Sequence, residues 1–328
     1  MINGKQLIVT MTSTPSRLAN GFLEKTLRHF ARQTRIEDVD WFGFCLDNNV
    51  KASDVKAHEE LFAKIEAETG LKWNLRTNDA DWRSCNKLIP FYAENPDRYI
   101  CCIDSDKLYP HTALDELLTE SSRNPDCIIA EEANPAVRTD KGLVFLNSTT
   151  CMLKQKCWDC YLSNMCLFPP GCFDEEYLFD KSVFQWVYNS SHDERAFWLA
   201  SCMKGTQSIS LPYTYSYTIE ANRDGTPVSF EFDEGALSHE NGQPGVIERM
   251  NQRCCERYGR KLLQKTLEKP VVFELTPEQV QLFVWSLPYI KRLYNGFDVV
   301  VDMSRCAGSW RKVLAHTAMK LGFGMRFA

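Results

Sequence analysis

A short apolar segment that runs directly into two carboxylates constrains the fold of this chain most. Residues Tyr99–Ile103 are apolar or β-prone, and Asp104 and Asp106 follow them. A strand this short and this apolar is typical of one buried on both faces, as in a parallel sheet. Its end therefore lies at the carboxyl edge of the sheet, where open α/β folds bind ligands. The segment predicts a parallel sheet with a ligand site at that edge.

The N-terminal part of the chain alternates between two kinds of pattern. Helical patterns separate further strand-like segments at Gln6–Met11, Trp41–Leu46, Lys72–Arg76 and Cys127–Ala130. Strands separated by helices are typical of βαβ units. We expect an α/β fold with a mostly parallel, Rossmann-like central sheet flanked by helices. The pattern indicates one domain over residues 1–245 and a mainly helical C-terminal extension over residues 246–328.

The composition narrows the class of protein. The chain has 328 residues, of which 44% are hydrophobic, so it can bury a substantial core. Its net charge of −5 argues against a nucleic-acid-binding protein, which usually carries a basic surplus. The sequence has no apolar run of membrane-spanning length and no signal-peptide pattern. We expect a cytoplasmic protein with no nucleic acid partner.

Fourteen cysteines are many for such a chain, and five of them lie between Cys151 and Cys172. Cys157 and Cys160 have the spacing of a zinc knuckle, but the spacing of the other cysteines is irregular. Reduced cysteines pack as small apolar side chains in a core. We interpret the cluster as buried packing, with a structural zinc site as the alternative.

The two carboxylates of Asp104 and Asp106 suit a divalent cation. Mg²⁺ and Mn²⁺ prefer oxygen ligands and bridge one or two carboxylates to the phosphates of a substrate. The alternative is a turn at the end of the strand, in which the aspartates bind the local backbone. His239, in a polar loop, is a candidate third ligand or an ordinary surface histidine.

Polar residues follow two other predicted strands at the same edge. Thr12, Ser13 and Arg17 follow the first strand, and hydroxyls with a guanidinium can bind a phosphate or a ribose. The alternative is that Ser16 only caps the next helix. Asp47 ends the second strand, where a carboxylate can hold a base or ribose or simply form a turn.

A pair of acids opens a predicted helix over Asp193–Lys204. Acids at this position are usually partners of the helix dipole. Beside a metal site, Asp193 or Glu194 can instead act as a general base for an attacking hydroxyl.

In this order, the segments resemble metal-dependent glycosyltransferases with the GT-A fold, of the bacterial polysaccharide-biosynthesis type. The resemblance covers roughly residues 6–215. It is carried by Val9–Arg17, by Asn86–Pro90 followed by Tyr99–Tyr109, and by Asp193-Glu194 with Trp198.

The resemblance implies a function and a set of roles. A sugar would move from a nucleotide-diphosphate donor to a hydroxyl of a glycan or lipid-linked acceptor, with Mn²⁺ or Mg²⁺ on the diphosphate. The nucleotide would be contacted by Thr12, Ser13, Arg17 and Asp47. Lys87 would lie near the donor phosphates, Asp104 would bind ribose or sugar hydroxyls or the metal, and Asp106 would hold the cation. Asp193 or Glu194 would be the base of an inverting reaction.

Other functions stay open at this point. A phosphatase of the haloacid-dehalogenase type also uses Asp-x-Asp after a strand, although usually after the first strand of its core. A nucleotidyltransferase or a sugar-nucleotide hydrolase can use a similar fold. The non-enzymatic alternative is a module that only binds a nucleotide sugar, or a zinc-stabilised scaffold.

The sequence near the C-terminus predicts an amphipathic helix over Ser309–Leu321. It carries Arg311, Lys312, His316 and Lys320. Basic amphipathic helices bind membrane surfaces, which would suit an enzyme at the inner face of a membrane that acts on lipid-linked glycans. Packing on the catalytic domain, or a homodimer contact, explains the pattern as well and is the interpretation we favour.

Overall fold

The described part of the chain forms a central sheet of eleven strands with helices on both faces. The structure, a computed structural model, describes residues 2–46, 50–77, 82–145, 153–161, 165–182, 193–212, 217–218 and 246–328. Most strand pairs of this sheet are parallel. The expected fold class, a mostly parallel central sheet flanked by helices, is confirmed.

The described strands are numbered in chain order. They are β1 Leu7–Thr12, β2 Trp41–Leu46, β3 Trp73–Thr77, β4 Tyr99–Ile103, β5 Lys107–Leu108, β6 Ile128–Ala130, β7 Ala133–Asn134, β8 Ala136–Thr139, β9 Gly142–Phe145, β10 Gln155–Cys157, β11 Cys160–Tyr161, β12 Met165–Phe168, β13 Ser208–Ser210, β14 Tyr217–Thr218, β15 Val271–Glu274, β16 Val299–Asp302 and β17 Arg326–Phe327.

The described α-helices are numbered in the same way. They are α1 Pro15–Ala19, α2 Phe22–Phe30, α3 Ala52–Thr69, α4 Ile89–Glu94, α5 Ala113–Arg123, α6 Glu175–Leu178, α7 Asp193–Lys204, α8 Val246–Thr266, α9 Val280–Tyr294 and α10 Gly308–Leu321. Two 3₁₀ turns lie at Ile36–Asp38 and Arg83–Lys87.

The order of strands across the central sheet is β17-β16-β15-β10-β13-β6-β12-β4-β1-β2-β3. Strands β10 and β12 run antiparallel to their neighbours, so the other strands all end at one edge. From β1 the chain proceeds outward to β2 and β3, and then returns to place β4 on the other side of β1. The order therefore reverses between β1 and β4, which is the point where open α/β sheets bind ligands.

Strand β4 is buried on both faces, as its sequence predicts. Ile100 and Cys102 pack into the hydrophobic core on one face of the sheet, and Tyr99, Cys101 and Ile103 pack into the core on the other. Alternate side chains of a strand point to opposite faces, so an apolar run without alternation fits only a covered strand. The two aspartates therefore emerge from the most enclosed part of the sheet.

The C-terminal segment is not only helical. Strands β15, β16 and β17 are parallel to one another, alternate with α9 and α10, and continue the central sheet through β10. The boundary expected near residue 245 lies outside the described residues and stays a prediction. Among the described residues, no helix combines the length and the apolar character needed to cross a bilayer.

The described members of the cysteine cluster are buried thiols. Cys157, Cys160, Cys166 and Cys172 are all enclosed in the core, whereas Cys151 lies outside the described residues. Burial raises the pKa of Cys160, Cys166 and Cys172, which keeps these thiols protonated. Thiols enclosed among apolar side chains fit the interpretation of the cluster as core packing.

Candidate active site

Four charged side chains lie in two ion pairs at the reversal of strand order between β1 and β4. Arg17 Nη2 lies 2.8 Å from Asp106 Oδ2, and Lys87 Nζ lies 2.9 Å from Asp104 Oδ1. Arg17, Lys87, Asp104 and Asp106 are called the charged cluster below. The side chains of Lys87 and Arg17 are 5% and 10% exposed, so these pairs are shielded from solvent on the basic side.

Each basic residue reaches the cluster from a different part of the chain. Arg17 lies in α1, which begins directly after β1, with Thr14 as its N-cap and Pro15 at its first position. The Thr14 hydroxyl accepts a hydrogen bond from the Arg17 amide at 3.3 Å, which fixes the start of the helix. Lys87 ends the 3₁₀ turn Arg83–Lys87, which packs against β1 and β2.

Helix α2 and Gln33, which follows this helix, hold the backbone after the aspartates. His29 Nε2 donates to the Tyr109 carbonyl at 2.6 Å, and Gln33 Nε2 donates to the Pro110 carbonyl at 2.7 Å. The Thr26 hydroxyl donates to the Lys107 carbonyl at 3.1 Å. These bonds fix the path of residues 107–110, and with it the turn that carries Asp106.

The phenol of Tyr109 supports the other aspartate. Its oxygen accepts a hydrogen bond from the Asp104 amide at 2.8 Å, and the Tyr109 side chain is fully buried. Burial and the nearby charge of Asp104 raise the pKa of Tyr109, so the phenol stays neutral. The Asp104 backbone is therefore anchored from inside the core while its carboxylate faces Lys87.

The two carboxylates are close enough to influence each other. Burial raises the pKa of Asp106, the charge of Arg17 opposes this shift, and the charge of Asp104 adds to it. Like charges that share a partly buried site repel, and an added cation would relieve that repulsion.

The donor set fits a divalent cation that takes its remaining ligands from substrate and water. Two carboxylates with substrate phosphates form a common type of Mg²⁺ site. Among the described residues, no group of three or more His, Cys, Asp and Glu side chains is placed to hold a metal. The candidate third ligand, His239, lies outside the described residues.

The residues expected to contact a nucleotide have different surroundings. Thr12 is half-buried at the end of β1, whereas Ser13 is buried, with its hydroxyl 3.0 Å from His58 Nε2. His58 Nδ1 donates to the Asp54 carbonyl at 2.7 Å, and burial lowers the pKa of His58. The neutral ring must therefore accept at Nε2, so Ser13 donates its proton to His58. Asp47 lies outside the described residues.

The expected general bases lie at the start of α7. Asp193 is the first residue of this helix, and its side chain lies outside the described part of the structure. Glu194 is half-buried, and its charge adds to the burial that raises the pKa of Cys160. Trp198 donates from Nε1 to the Trp158 carbonyl at 2.7 Å and is fully buried, so it anchors α7 in the core.

Sequence reasoning missed a further acid at the same edge. Glu131 directly follows β6 and is 2% exposed, and its charge contributes to the raised pKa of Tyr109. It therefore lies within electrostatic reach of the phenol that supports Asp104. The signal that located Asp104, an acid directly after an apolar strand, is also present in Cys127–Glu131.

A cavity of about 450 Å³ lies elsewhere on this edge, outside the ends of β15 and β16. Lys154 lines this cavity, and its Nζ lies 2.8 Å from a carboxylate oxygen of Glu120 and 2.6 Å from one of Glu274. Four strands separate β15 from β4, which puts this cavity on the order of 20 Å from the charged cluster. It is not part of the candidate active site.

Comparisons with known proteins return only distant similarities. No protein-family model and no curated protein matches this chain. Among solved structures, the chain is similar to a mannosyltransferase from Pyrobaculum calidifontis in complex with GDP-Man and Mn²⁺, with 8% identity, 96% of this chain and 84% of that chain covered, and a TM-score of 0.44.

Two other solved structures show the same level of similarity. A putative glucose-1-phosphate thymidylyltransferase from Bacillus anthracis has 11% identity over 76% of this chain and 95% of that chain, with a TM-score of 0.43. A UDP-glucose pyrophosphorylase has 10% identity over 78% of this chain and 100% of that chain, with a TM-score of 0.38. TM-scores this low do not support a functional assignment, which must come from the residues of this chain.

Proposed function

We propose that this chain is a glycosyltransferase that moves a sugar from a nucleotide-diphosphate donor to a hydroxyl of a glycan or lipid-linked acceptor. The observation that supports the proposal is the charged cluster at the reversal of strand order. In each of its two ion pairs, a basic side chain lies within 3 Å of a carboxylate. The basic side chains can bind a diphosphate, and the carboxylates can bind its divalent counter-ion.

The basic residues bind the donor phosphates in this proposal. Negative charge builds up on the leaving diphosphate as the bond to the sugar breaks, and cations stabilise that charge most in the transition state. Lys87 and Arg17 are well suited because their shielded positions strengthen every electrostatic interaction they make. Both side chains then turn from the carboxylates to the phosphates when the donor binds.

The carboxylates of Asp104 and Asp106 hold Mn²⁺ or Mg²⁺ in this proposal, and His239 is the candidate for a third ligand. The cation, when bound, neutralises part of the charge on the diphosphate. Asp104 is the more exposed of the two, at 31% against 19%, and it also suits a hydrogen bond to a ribose or sugar hydroxyl.

Three groups complete the proposed chemistry. Thr12, Ser13 and Asp47 contact the nucleoside, with Ser13 offering an acceptor oxygen because its proton is directed to His58. Asp193 or Glu194 takes the proton of the acceptor hydroxyl as it attacks the anomeric carbon, which gives an inverting reaction. Glu131 is a third candidate for this general base, because its charge acts on Tyr109, which supports Asp104.

Product analysis tests the proposal against nucleotidyl transfer. Glycosyl transfer or donor hydrolysis releases a nucleoside diphosphate from a nucleotide sugar. Nucleotidyl transfer instead joins a nucleoside triphosphate to a sugar phosphate and releases pyrophosphate. We expect nucleoside diphosphate from at least one nucleotide sugar in the presence of Mn²⁺. Release of pyrophosphate from a nucleoside triphosphate and a sugar phosphate would contradict the proposal.

A pair of matched variants links the product to the cluster. Asp106→Asn should abolish release of nucleoside diphosphate. Asp298→Asn removes a carboxylate from another Asp–Arg pair, the surface pair with Arg326, and should leave the rate unchanged. Equal rates in both variants would remove Asp106 from the active site.

A further inference from the structure

Helices α9 and α10 present large apolar side chains to solvent on their outer sides. Trp285 is 73% exposed, Tyr289 48%, Val313 44% and Met319 70%. They are four of the five large hydrophobic side chains found exposed in the described part of the chain. The outer surface formed by these four residues and the basic residues of α9 and α10 is called the two-helix face below.

The inner sides of the two helices show that they lie on one face of the sheet. Phe283 and Leu287 of α9 and Leu314 of α10 are buried in the same hydrophobic core. Each helix connects neighbouring parallel strands of the C-terminal unit, so the two run side by side. Lys291 Nζ also donates to the Leu321 carbonyl, which joins their C-terminal ends. Their outer sides therefore point the same way.

The exposed stripe of α9 is regular. Trp285 and Tyr289 lie one helical turn apart, and Pro288 and Arg292 are exposed on the same side of the helix. Trp285 does not fill a gap in the core, because the core positions of this helix are held by Phe283, Leu287 and Ile290. An exposed tryptophan beside a tyrosine is costly in water, since both expose large apolar rings.

The charges on this face all have one sign. Helices α9 and α10 contain five Lys and Arg residues and no Asp or Glu, although the whole chain has a net charge of −5. The basic residues are Lys291, Arg292, Arg311, Lys312 and Lys320, and His316 is exposed among them. Without these five charges the net charge of the chain would be −10, so the two helices are locally basic in a chain that is acidic as a whole.

We propose that the two-helix face binds the surface of a lipid bilayer that contains anionic lipid. Tryptophan and tyrosine rings favour the headgroup level of a bilayer, and Lys and Arg are attracted to anionic headgroups. Trp285, Tyr289 and Met319 enter the headgroup region, while Lys312 and Lys320 lie against the lipid phosphates. The protein lies on the bilayer and does not cross it.

Charge complementarity favours a lipid surface over a second copy of the chain. Two copies joined through this face would bring their basic residues together, and like charges in contact cost free energy. A polyanion such as nucleic acid would pair with the basic residues but would leave the apolar side chains without a partner. This inference does not depend on the proposed glycosyl transfer.

Vesicle flotation of the full chain tests the proposal. We expect binding to vesicles of phosphatidylcholine with phosphatidylglycerol, weak binding to vesicles of phosphatidylcholine alone, and weaker binding at high salt. Trp285→Ala should lower the affinity for anionic vesicles roughly tenfold. Lys312→Gln with Lys320→Gln should lower it by about 10- to 30-fold. Because all three side chains are exposed, these variants should fold like the parent protein.

A matched control distinguishes the loss of positive charge on the two-helix face from an equal change in the net charge of the protein. Lys56→Gln with Lys64→Gln removes the same charge from α3, a surface helix rich in acids, and should leave the binding to vesicles unchanged. Equal losses in both double variants would overturn the proposal. No binding of the parent protein to anionic vesicles would also overturn it, as would a concentration-dependent dimer that Trp285→Ala dissociates in solution.

Discussion

Each aspartate of the charged cluster faces a basic side chain from a distant part of the chain. Lys87 is 17 residues from Asp104 in sequence, and Arg17 reaches Asp106 from the helix after β1. Burying a charge without a partner is expensive, so each partner depends on the other for its position. The cluster is therefore organised before a ligand arrives. When a diphosphate and a divalent cation bind, the phosphates can replace the carboxylates as partners of the basic side chains, and the cation can replace the basic side chains as partner of the carboxylates.

Removing the Lys87 side chain should lower both turnover and donor affinity. In Lys87→Ala the donor diphosphate loses its most shielded cation, and we expect turnover to fall about 100- to 1,000-fold. Donor affinity, measured by titration calorimetry, should fall as well. Lys154→Ala is the control, because Lys154 is also ion-paired but lies at the separate cavity. Equal turnover in the two variants would contradict the role of Lys87.

The Ser13–His58–Asp54 chain should make folding stability depend on pH. Burial lowers the pKa of His58 below the usual 6.5, so the unfolded chain takes up this proton first. The contribution of His58 to stability is therefore fully present above about pH 6.5 and is lost as the pH falls below that value.

Urea denaturation at a series of pH values measures this dependence. The stability of the parent protein should fall more steeply below pH 6.5 than that of His58→Gln, which does not titrate. His316→Gln replaces an exposed histidine and should follow the parent protein. A parallel pH dependence in the parent protein and in His58→Gln would contradict a neutral buried His58.

The sequence indicated some of these residues and missed others for identifiable reasons. Asp104, Asp106 and Arg17 could be located because each follows a strand that ends at the same edge. Lys87 was indicated only by the family resemblance, since it lies in a 3₁₀ turn and does not follow a strand. His58 was missed because its partner Ser13 lies 45 residues away, and the sequence pattern of α3 does not distinguish it.

At the scale of elements, the segment after β4 is held by contacts from α2 and from the core. Tyr109→Phe removes the oxygen that accepts the Asp104 amide. An amide left without its partner in a partly buried position costs about 1–3 kcal/mol, and we expect that loss in urea denaturation. Donor affinity should fall in the same variant because Asp104 loses its anchor.

A second Tyr→Phe variant, at an exposed position, is the control for Tyr109→Phe. Tyr289→Phe removes the phenol oxygen of an exposed tyrosine and should change neither stability nor donor affinity. If Tyr109→Phe matched Tyr289→Phe in both measurements, the anchor would not contribute.

Elements were predictable where their pattern was long or uniform. Strands β1, β2 and β4 are mostly apolar and were located within one residue. Strands β10, β15 and β16 have only three or four residues and bury alternate side chains, so a sheet partner decides their conformation more than the sequence does. The C-terminal part was expected to be mainly helical, and its three long helices fit that expectation, whereas its short strands were not placed in the sheet.

At the scale of the molecule, one buried polar network ties the C-terminal unit to the rest. The Tyr294 hydroxyl of α9 lies 3.0 Å from one carboxylate oxygen of Asp159 and 3.2 Å from Gln155 Oε1. The same Asp159 oxygen accepts the Ala136 amide at 3.2 Å. Helix α9 is thereby joined to β10 through Gln155 and, through Asp159, to β8.

Loss of the Tyr294 hydroxyl should weaken the whole molecule and not only its C-terminal unit. Tyr294→Phe removes a hydrogen bond to a buried carboxylate, and we expect a loss of about 1.5–3 kcal/mol in the free energy of unfolding. Because the strands form one continuous sheet, the urea transition should stay single in the parent protein and in the variant. Two separate transitions would contradict this coupling.

A thermal-shift panel of nucleotide sugars, with and without Mn²⁺, tests the central claim most directly. A ligand that binds only the folded chain raises the unfolding temperature by mass action. We expect at least one nucleotide sugar to raise it in the presence of Mn²⁺, with a smaller shift without the cation and a similarly reduced shift in Asp106→Asn. The absence of a shift with every nucleotide sugar, or an equal shift in Asp106→Asn, would contradict the account.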